Sequence, residues 1–357
     1  MTKENSLYRR IKKRLLFKSG KLVDTVLEAT AAPPTRPDAK RRRQEDEEEK
    51  EEQEEVLPER KKVCNKGVPV LKGYVGTRRG ERDEMQDAHV VLPDLMEHLT
   101  PPPTQVCAVS YFAVFDGHGG ARASHFAAER LHLTVAHKFP NRSSENLDKL
   151  IKKCLLDSFR QTDDDFLKKA SSQKPVWKDG CTATCLLVVH TTAYIANLGD
   201  SRVRRGRCCV GWRRWGEEPR MMSLALSREH TPTLYEERIR IQRAGGTVSE
   251  GRVLGKLEVS RSLGDGQYKR CGVISTPDLR RFTLTSADRF ILLACDGLFK
   301  VFTAEEAVKY VFRLLQDDSS GTNEEGRYEA ACQRLASEAV RRGCADNVTV
   351  ILVSIGF

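Results

Sequence analysis

The sequence lacks what a membrane or secreted protein needs. Its longest apolar runs, such as RFILLACDG and NVTVILVSI, fall far short of the roughly 20 residues that a transmembrane helix requires. The basic N-terminus, MTKENSLYRRIKKRLLF, has no uninterrupted apolar stretch and no small-residue cleavage site, so we predict no secretory signal. We therefore expect no membrane partner.

Regularly spaced cysteines are also missing. The 11 cysteines form no paired C-x-x-C framework, and several of them, such as Cys185 and Cys295, lie inside apolar runs. This pattern supports neither a zinc site nor a disulfide scaffold. Reduced thiols indicate a cytoplasmic location, a nuclear location or both.

The net charge of +10 is distributed in opposing blocks. Residues 1–44 are strongly basic, whereas EDEEEKEEQEE at 45–55 is almost entirely acidic. No aromatic residues are interleaved for base stacking, which argues against a nucleic-acid partner. We predict a flexible charged arm at 1–66 and one folded domain at 67–357. A short basic cluster, Lys40–Arg43, fits a nuclear-import signal.

Strand-like apolar runs alternate with turn signals from Lys72 onward, and helical patterns stand in separate blocks. In ASHFAAERLHLTVAHKF, Leu131 and Val135 share one helix face. In TAEEAVKYVFRLLQD, Thr303 and Glu306 have the spacing of a capping box. Because strands often follow strands directly, the pattern favours an α+β fold with antiparallel sheets over a doubly wound parallel sheet.

Aspartates stand at the ends of apolar runs. Taken singly, an Asp-Gly pair is typical of a turn. Carboxylates gathered at one end of a sheet repel one another unless cations lie between them, and hard oxygen ligands favour Mg²⁺ or Mn²⁺ over zinc. Gly117 allows close backbone approach, so its carbonyl can add a ligand. The five aspartates, with Arg82 and His118 beside them, predict a metal centre; they are Asp87, Asp116, Asp265, Asp296 and Asp346.

Six ordered motifs carry a resemblance to a known family: ERDEMQDAH, FAVFDGHGG, ANLGDSR, VSRSLGD, LLACDGLF and ADNVTV. Over about residues 70–357 the chain resembles the metal-dependent, PP2C-type serine/threonine protein phosphatases. The resemblance implies a sandwich of two antiparallel β-sheets flanked by helices on the outside. It also implies hydrolysis of phosphoserine and phosphothreonine in phosphoprotein substrates, a role in kinase signalling, and a monomer.

The resemblance also assigns roles to the acids. Asp116 would bridge two Mg²⁺ or Mn²⁺ ions, the Gly117 carbonyl would bind one of them, and Asp87 would act directly or through water. Asp265, Asp296 and Asp346 would complete the shell of the other ion. Ions roughly 4 Å apart would activate a shared water for in-line attack on phosphorus.

Three further roles follow from the resemblance. Arg82 would hold the phosphoryl oxygens, because its planar fork suits their geometry. His118 would protonate the departing serine or threonine oxygen as a general acid. Asp179 matches an acid that the family associates with a weaker third metal. Three stretches most resemble family members that are associated with integrin-linked kinase: LKGYVGTRRGERDEMQDAH, SSQKPVWKDG and QYKRCGV. This resemblance implies that kinase as a partner.

The sequence departs from the family pattern at three places. Gln86 replaces a common Glu, and Lys300 follows CDGLF where many relatives carry an acid. After ANLGDSR, the segment 203–222, VRRGRCCVGWRRWGEEPRMM, replaces an apolar strand with arginines, cysteines and tryptophans. Since each unpaired buried arginine would cost several kcal/mol, we expect this segment to loop out or to be poorly ordered.

Two rival interpretations remain open. Cys208 and Arg214 have the C-x5-R spacing of cysteine-nucleophile phosphatases, but Arg207 rather than His precedes the cysteine. The other is a catalytically impaired pseudophosphatase that binds phosphoproteins, an interpretation that the atypical segment supports. Thiol sensitivity and Mn²⁺-dependent phosphate release discriminate between these interpretations and the metal-dependent enzyme.

Overall fold

A computed structural model describes residues 67–103, 106–140, 146–208, 221–316 and 323–357. The charged arm predicted for residues 1–66, together with the import signal at Lys40–Arg43, lies outside the described residues. Those two predictions therefore stay predictions.

Strands and helices follow one another along the described chain. The strands are β1 (Val70–Arg78), β2 (Ala88–Leu92), β3 (Val109–Phe115), β4 (Gly117–His118), β5 (Gly180–Cys181), β6 (Ala183–Val189), β7 (Thr192–Leu198), β8 (Arg202–Cys208), β9 (Met221–Ala225), β10 (Val248–Ser249), β11 (Arg252–Val253), β12 (Leu263–Gly264), β13 (Asp278–Thr283), β14 (Asp288–Ala294) and β15 (Val348–Gly356). The helices are α1 (Arg122–Lys138), α2 (Leu147–Ser171), α3 (Tyr235–Arg243), α4 (Gly266–Lys269), α5 (Asp296–Phe299), α6 (Ala304–Gln316) and α7 (Glu324–Arg341), with a 3-10 turn at Met96–His98.

Two five-stranded sheets form the frame. One, called here the β3 sheet, has the order β13-β7-β6-β3-β2, and the other, the β15 sheet, has the order β1-β15-β14-β8-β9. All of their strand pairs are antiparallel. A small sheet, β12-β5-β4, and a hairpin, β10-β11, complete the β-structure of the described ranges.

Alternating side chains of β3 show how the layers pack. Phe112 and Val114 point into an apolar core shared with Ile291 and Ile351 of the β15 sheet. The intervening Phe115, like Tyr111, packs instead in the core that contains residues of α1 and α2. A third core joins the outer face of the β15 sheet to α6 and α7. Since successive strand residues face opposite sides, β3 is apolar throughout. The predicted α+β sandwich with outer helices is confirmed.

The capping box predicted at the start of α6 forms as expected. The backbone N–H of Thr303 donates to Glu306 Oε2 at 2.8 Å, and the N–H of Glu306 donates to Thr303 Oγ1 at 3.2 Å. The two reciprocal bonds satisfy donors that the first turn of a helix otherwise leaves without partners. Sequence therefore located this helix start correctly.

The expectation that segment 203–222 loops out is wrong for residues 203–208 and 221–222. Residues 203–208 belong to β8, which lies between β14 and β9 inside the β15 sheet. Arg205 is buried there, but it donates to both carboxylate oxygens of Asp288 and lies over the ring of Phe282 at 4.5 Å. The ion pair offsets the desolvation of the charge, so the strand accommodates an arginine. Residues 209–220 lie outside the described part.

The structure bears on two expectations from the composition, the lack of a membrane-spanning helix and the presence of reduced thiols. Among the residues that the structure describes, no helix is long and apolar enough to cross a bilayer. Eight described cysteines carry free thiols. Cys107, however, is disulfide-bonded, so among the described cysteines the expectation of reduced thiols fails at Cys107.

Candidate active site

A cleft of about 420 Å³ opens where strands of both sheets end. Most of its charged walls come from the loops that directly precede or follow a strand. These loops hold carboxylates and cations in one small volume. The charged and titratable residues that line it include Arg82, Asp116, His118, Asp200, Asp265, Asp296, Lys300 and Asp346.

Asp116 follows the buried strand β3, and Asp87 directly precedes β2. Ligand atoms of Asp87, Asp116 and Cys295 all lie within 4.8 Å of one another. Asp87 Oδ2 accepts a hydrogen bond from Thr349 Oγ1 at 2.7 Å, but its buried Oδ1 has no hydrogen-bond partner in the described chain. Burial raises the pKa of Asp87 to about 6. Burial, followed by the charges of Asp87 and Asp296, raises the pKa of Asp116 well above its usual value. Neither carboxylate forms an ion pair with a cationic side chain of the described residues.

Gly117 has a packing reason to be glycine. A Cβ at this position would lie 2.2 Å from the backbone oxygen of Gln86 and 2.8 Å from Ser124 Oγ. No side chain fits there, so the backbone of Gly117 lies against the loop that leads to Asp87. The Gln86 backbone N–H donates to Asn347 Oδ1 at 2.7 Å, which ties the same loop to the start of β15.

Asp296 and Asp346 lie near each other because the start of α5 packs closely against the residues that precede β15. A Cβ on Gly297 would lie 2.1 Å from the backbone oxygen of Asn347, so glycine is required beside Asp296. Lys300 Nζ lies 2.9 Å from Asp296 Oδ2 and 2.5 Å from Asp346 Oδ2. The ammonium group therefore bridges the two carboxylates.

Arg82 binds the same carboxylate from the other side. Its Nε lies 2.9 Å from Asp346 Oδ1, and its Nη2 lies 3.0 Å from Asp346 Oδ2. Burial acts to raise the pKa of Asp346, but hydrogen bonds from Lys300 and Arg82 outweigh it and lower that pKa. The side chain of Arg82 is 59% exposed, so its guanidinium stands at the mouth of the cleft.

His118 and Asp265, which both line the cleft, form a second pair. His118 Nε2 lies 2.6 Å from Asp265 Oδ2, and Ser262 Oγ donates to the same oxygen at 2.7 Å. Burial disfavours the charged imidazolium, but Asp265 outweighs that effect and raises the pKa of His118. The metal role predicted for Asp265 stays a prediction, since its Oδ2 is directed at His118.

Asp179 is bound to a cation of the protein itself. Its Oδ2 accepts from the backbone N–H of Arg122 at 3.1 Å and from Arg122 Nε at 2.7 Å, and its Oδ1 lies 2.7 Å from Arg122 Nη2. The third-metal role of Asp179 also stays a prediction.

Sequence reasoning missed Asp200, which lines the cleft. Burial, followed by the negative charge of Asp296, raises the pKa of Asp200 to about 7. The signal was present in the sequence, because ANLGD ends an apolar strand in Gly-Asp, as VSRSLGD does at Asp265. It also missed Asn347, whose Nδ2 donates to the backbone oxygens of Arg79 and Glu84 at 2.7 and 3.1 Å. Asn347 thereby holds the loop that carries Arg82.

The rival C-x5-R motif receives no support from the cleft. Cys208 is the last residue of β8. It is not among the described residues that line the cleft. Arg214, the other half of the motif, lies outside the described residues.

Comparisons with known proteins identify the family of this chain. Residues 72–348 match the Protein phosphatase 2C family. The chain is 59% identical over 303 residues to the integrin-linked kinase-associated serine/threonine phosphatase 2C of Mus musculus, covering 83% of this chain and 76% of that protein. It is 40% identical over 285 residues to the probable protein phosphatase 2C 67 of Oryza sativa subsp. japonica, covering 77% and 72%.

A solved structure shares the fold. The crystal structure of serine-threonine phosphatase 2C from Toxoplasma gondii superposes with a TM-score of 0.63 at 22% identity, covering 81% of this chain and 96% of that one. The family match and the identity to curated relatives together assign the activity class. The chain belongs to the protein phosphatase 2C family and is a serine/threonine protein phosphatase.

Proposed function

We propose that this phosphatase is catalytically competent and hydrolyses phosphoserine and phosphothreonine with the help of two Mg²⁺ or Mn²⁺ ions. One observation carries the proposal. Asp87 and Asp116 are carboxylates whose pKa values are raised, and Asp87 keeps a buried oxygen without a hydrogen-bond partner among the described residues. Carboxylates in such an arrangement are stable as anions only when a cation joins them.

The donor chemistry fits hard divalent ions. The cleft offers carboxylate and carbonyl oxygens, which Mg²⁺ and Mn²⁺ prefer, and no described histidine pair or cysteine pair that would select zinc. When bound, such ions supply Lewis acidity that makes water nucleophilic near neutral pH. The residues that would hold them are Asp87, Asp116, the Gly117 carbonyl, Asp296 and Asp346.

Arg82 would orient the substrate phosphate. Two of its nitrogens are held by Asp346, which fixes the plane of the guanidinium, and the side chain remains open to the cleft mouth. A guanidinium in a fixed plane suits paired phosphoryl oxygens. Asp346 therefore positions the group that recognises phosphate.

His118 would supply the proton to the leaving serine or threonine oxygen. Its raised pKa favours the imidazolium form, in which both ring nitrogens carry a proton. Because Nε2 faces Asp265, Nδ1 is the nitrogen left to donate toward the substrate. General acids of this kind accelerate such steps by roughly 10²- to 10⁴-fold.

The test is phosphate release from a phosphothreonine peptide by the full chain. We expect EDTA to abolish release and added Mn²⁺ or Mg²⁺ to restore it, and Asp116→Asn to remove it at every metal concentration. Release that ignores EDTA and stops on thiol alkylation would favour the cysteine chemistry instead. No release with any metal would favour the pseudophosphatase.

We further propose the cellular setting. The mouse relative is named as integrin-linked kinase-associated, which supports signalling with that kinase as a partner of this chain. The expected location is the cytoplasm, the nucleus or both, and the expected state is a monomer. Co-precipitation with the kinase, imaging of a tagged full chain and its size by light scattering test the three parts.

A further inference from the structure

Lys300 occupies an unusual place for a lysine. It directly follows α5, the short helix that begins at Asp296. Its ammonium lies 2.9 Å from Asp296 Oδ2 and 2.5 Å from Asp346 Oδ2. The Lys300 ammonium donates a charge-assisted hydrogen bond to Asp346 Oδ2. The ammonium thus stands among oxygens to which the proposed function gives a divalent ion.

The charge balance of the cleft is uneven as a consequence. Lys300 and Arg82 both contact Asp346, and Lys300 also contacts Asp296. On the other side, Asp87 and Asp116 form no ion pair among the described residues.

We propose that Lys300 is an internal cation that competes with a metal ion for Asp296 and Asp346. It lowers the metal affinity of that half of the centre and stabilises the metal-free fold. The inference rests on the proposed function, because it takes these two carboxylates as metal ligands. It also predicts an order, in which the half formed by Asp87 and Asp116 binds its ion more tightly.

A metal ion can displace the Lys300 ammonium without steric hindrance. The Lys300 side chain is 43% exposed, so its flexible four-carbon stem can carry the ammonium into solvent when an ion arrives. Asp346 then keeps Arg82, which binds it through two nitrogens. Metal binding therefore exchanges one cation for another without removing the contact that positions Arg82.

Isothermal titration of the metal-free full chain with Mn²⁺, without substrate, tests the competition. For Lys300→Met we expect the Kd of the weaker Mn²⁺ site to fall about tenfold, since a unit positive charge is removed within a few ångströms of the ion. Lys300→Arg keeps the charge and should leave that Kd within about twofold. Lys256→Met is the matched control, because Lys256 lines the same cleft and forms no ion pair with either carboxylate in the described chain.

Thermal unfolding in EDTA gives a second readout that does not depend on activity. We expect Lys300→Met to lower the Tm of the metal-free protein by about 3 °C and to enlarge the rise that Mn²⁺ produces. An unchanged Mn²⁺ affinity together with an unchanged metal-free Tm would overturn the proposal while leaving the proposed function intact. If neither wild type nor variant binds Mn²⁺, both fail.

Discussion

His118 Nε2 lies 2.6 Å from Asp265 Oδ2, although the two residues are 147 positions apart in the chain. The space for this contact depends on Gly180, where a Cβ would lie 2.2 Å from Asp265 Oδ2 and 2.4 Å from His118 Nε2. The pairing of β4 with β5 places this glycine directly opposite His118. Three segments distant in sequence thus cooperate to hold one proton donor.

Asp265→Asn should change the pH dependence of catalysis. Asp265 raises the pKa of His118 against the effect of burial, so its loss should lower that pKa and move the alkaline limb of kcat to lower pH. Above about pH 7.5 we expect kcat to fall about tenfold, with less loss at lower pH.

His125→Gln is the control for that experiment, because His125 is an exposed histidine of α1. A pH–rate profile at saturating Mn²⁺ and the Mn²⁺ Kd decide the outcome. A weaker Mn²⁺ Kd with an unmoved alkaline limb would show that Asp265 acts as a metal ligand.

Gly180→Ala should inactivate the enzyme without unfolding it. The added methyl group would occupy the position where His118 and Asp265 meet, so the pair must separate. We expect a loss in kcat of roughly 10²-fold, the scale of a missing general acid. Gly356→Ala is the control, since the nearest atom to its added Cβ is 3.7 Å away. Normal kcat in a folded Gly180→Ala protein would contradict the assignment of His118.

The metal-free protein should lose stability as pH rises. Burial raises the pKa of Asp87 from 3.8 to about 6, so the folded state holds this proton more tightly than the unfolded chain. That stabilising contribution is complete below about pH 4 and is lost as pH rises through about 6. Between about pH 5 and pH 7.5 the loss from this group is about 1 to 2 kcal/mol.

Urea unfolding in EDTA measures this effect. We expect Asp87→Asn to be more stable than wild type at the higher pH and to lose that advantage at the lower one. Asp164→Asn, at an exposed position of α2, should show the same small difference at both values. An advantage of Asp87→Asn that does not vary with pH would show that Asp87 does not titrate as described.

The buried pair of Arg205 and Asp288 should dominate the stability of β8. Asp288→Ala leaves a buried guanidinium without its partner and should cost about 3 to 5 kcal/mol. Arg205→Leu should cost less, because Asp288 Oδ2 still accepts from the backbone N–H and hydroxyl of Thr285 at 2.8 and 3.0 Å. The double variant should fall short of the sum by more than about 1 kcal/mol.

Denaturant unfolding of the full cycle measures the coupling energy. Arg341→Ala, which breaks the exposed pair with Glu338, should change the free energy of unfolding little. Additive effects at Arg205 and Asp288 would mean that the guanidinium is not buried against the carboxylate in solution.

Sequence patterns predicted an α+β fold with antiparallel sheets because apolar alternation and turn residues act locally, whereas the sandwich of two sheets was implied by the family resemblance. The apolar run of β3 and the Asp-Gly that follows it indicated a strand ending in a metal-binding acid, and Asp116 lies in the cleft. The same reasoning failed at Arg205, since a charged residue in a strand was taken as evidence for a loop. Its partner, Asp288, lies 83 residues away, and no local pattern links the two.

The amino-acid order by itself determined which chemical groups are available: the acids that end apolar runs, the histidine and arginine beside them, and the glycines where backbones meet. These follow from short-range rules of strand, turn and ligand chemistry. Only the tertiary structure decided which groups meet. It places Asp265 against His118 and Asp288 against Arg205. It also places Lys300 between Asp296 and Asp346. Such contacts depend on how distant segments pack, and Coulomb attraction acts strongly only once folding has brought the charges within a few ångströms.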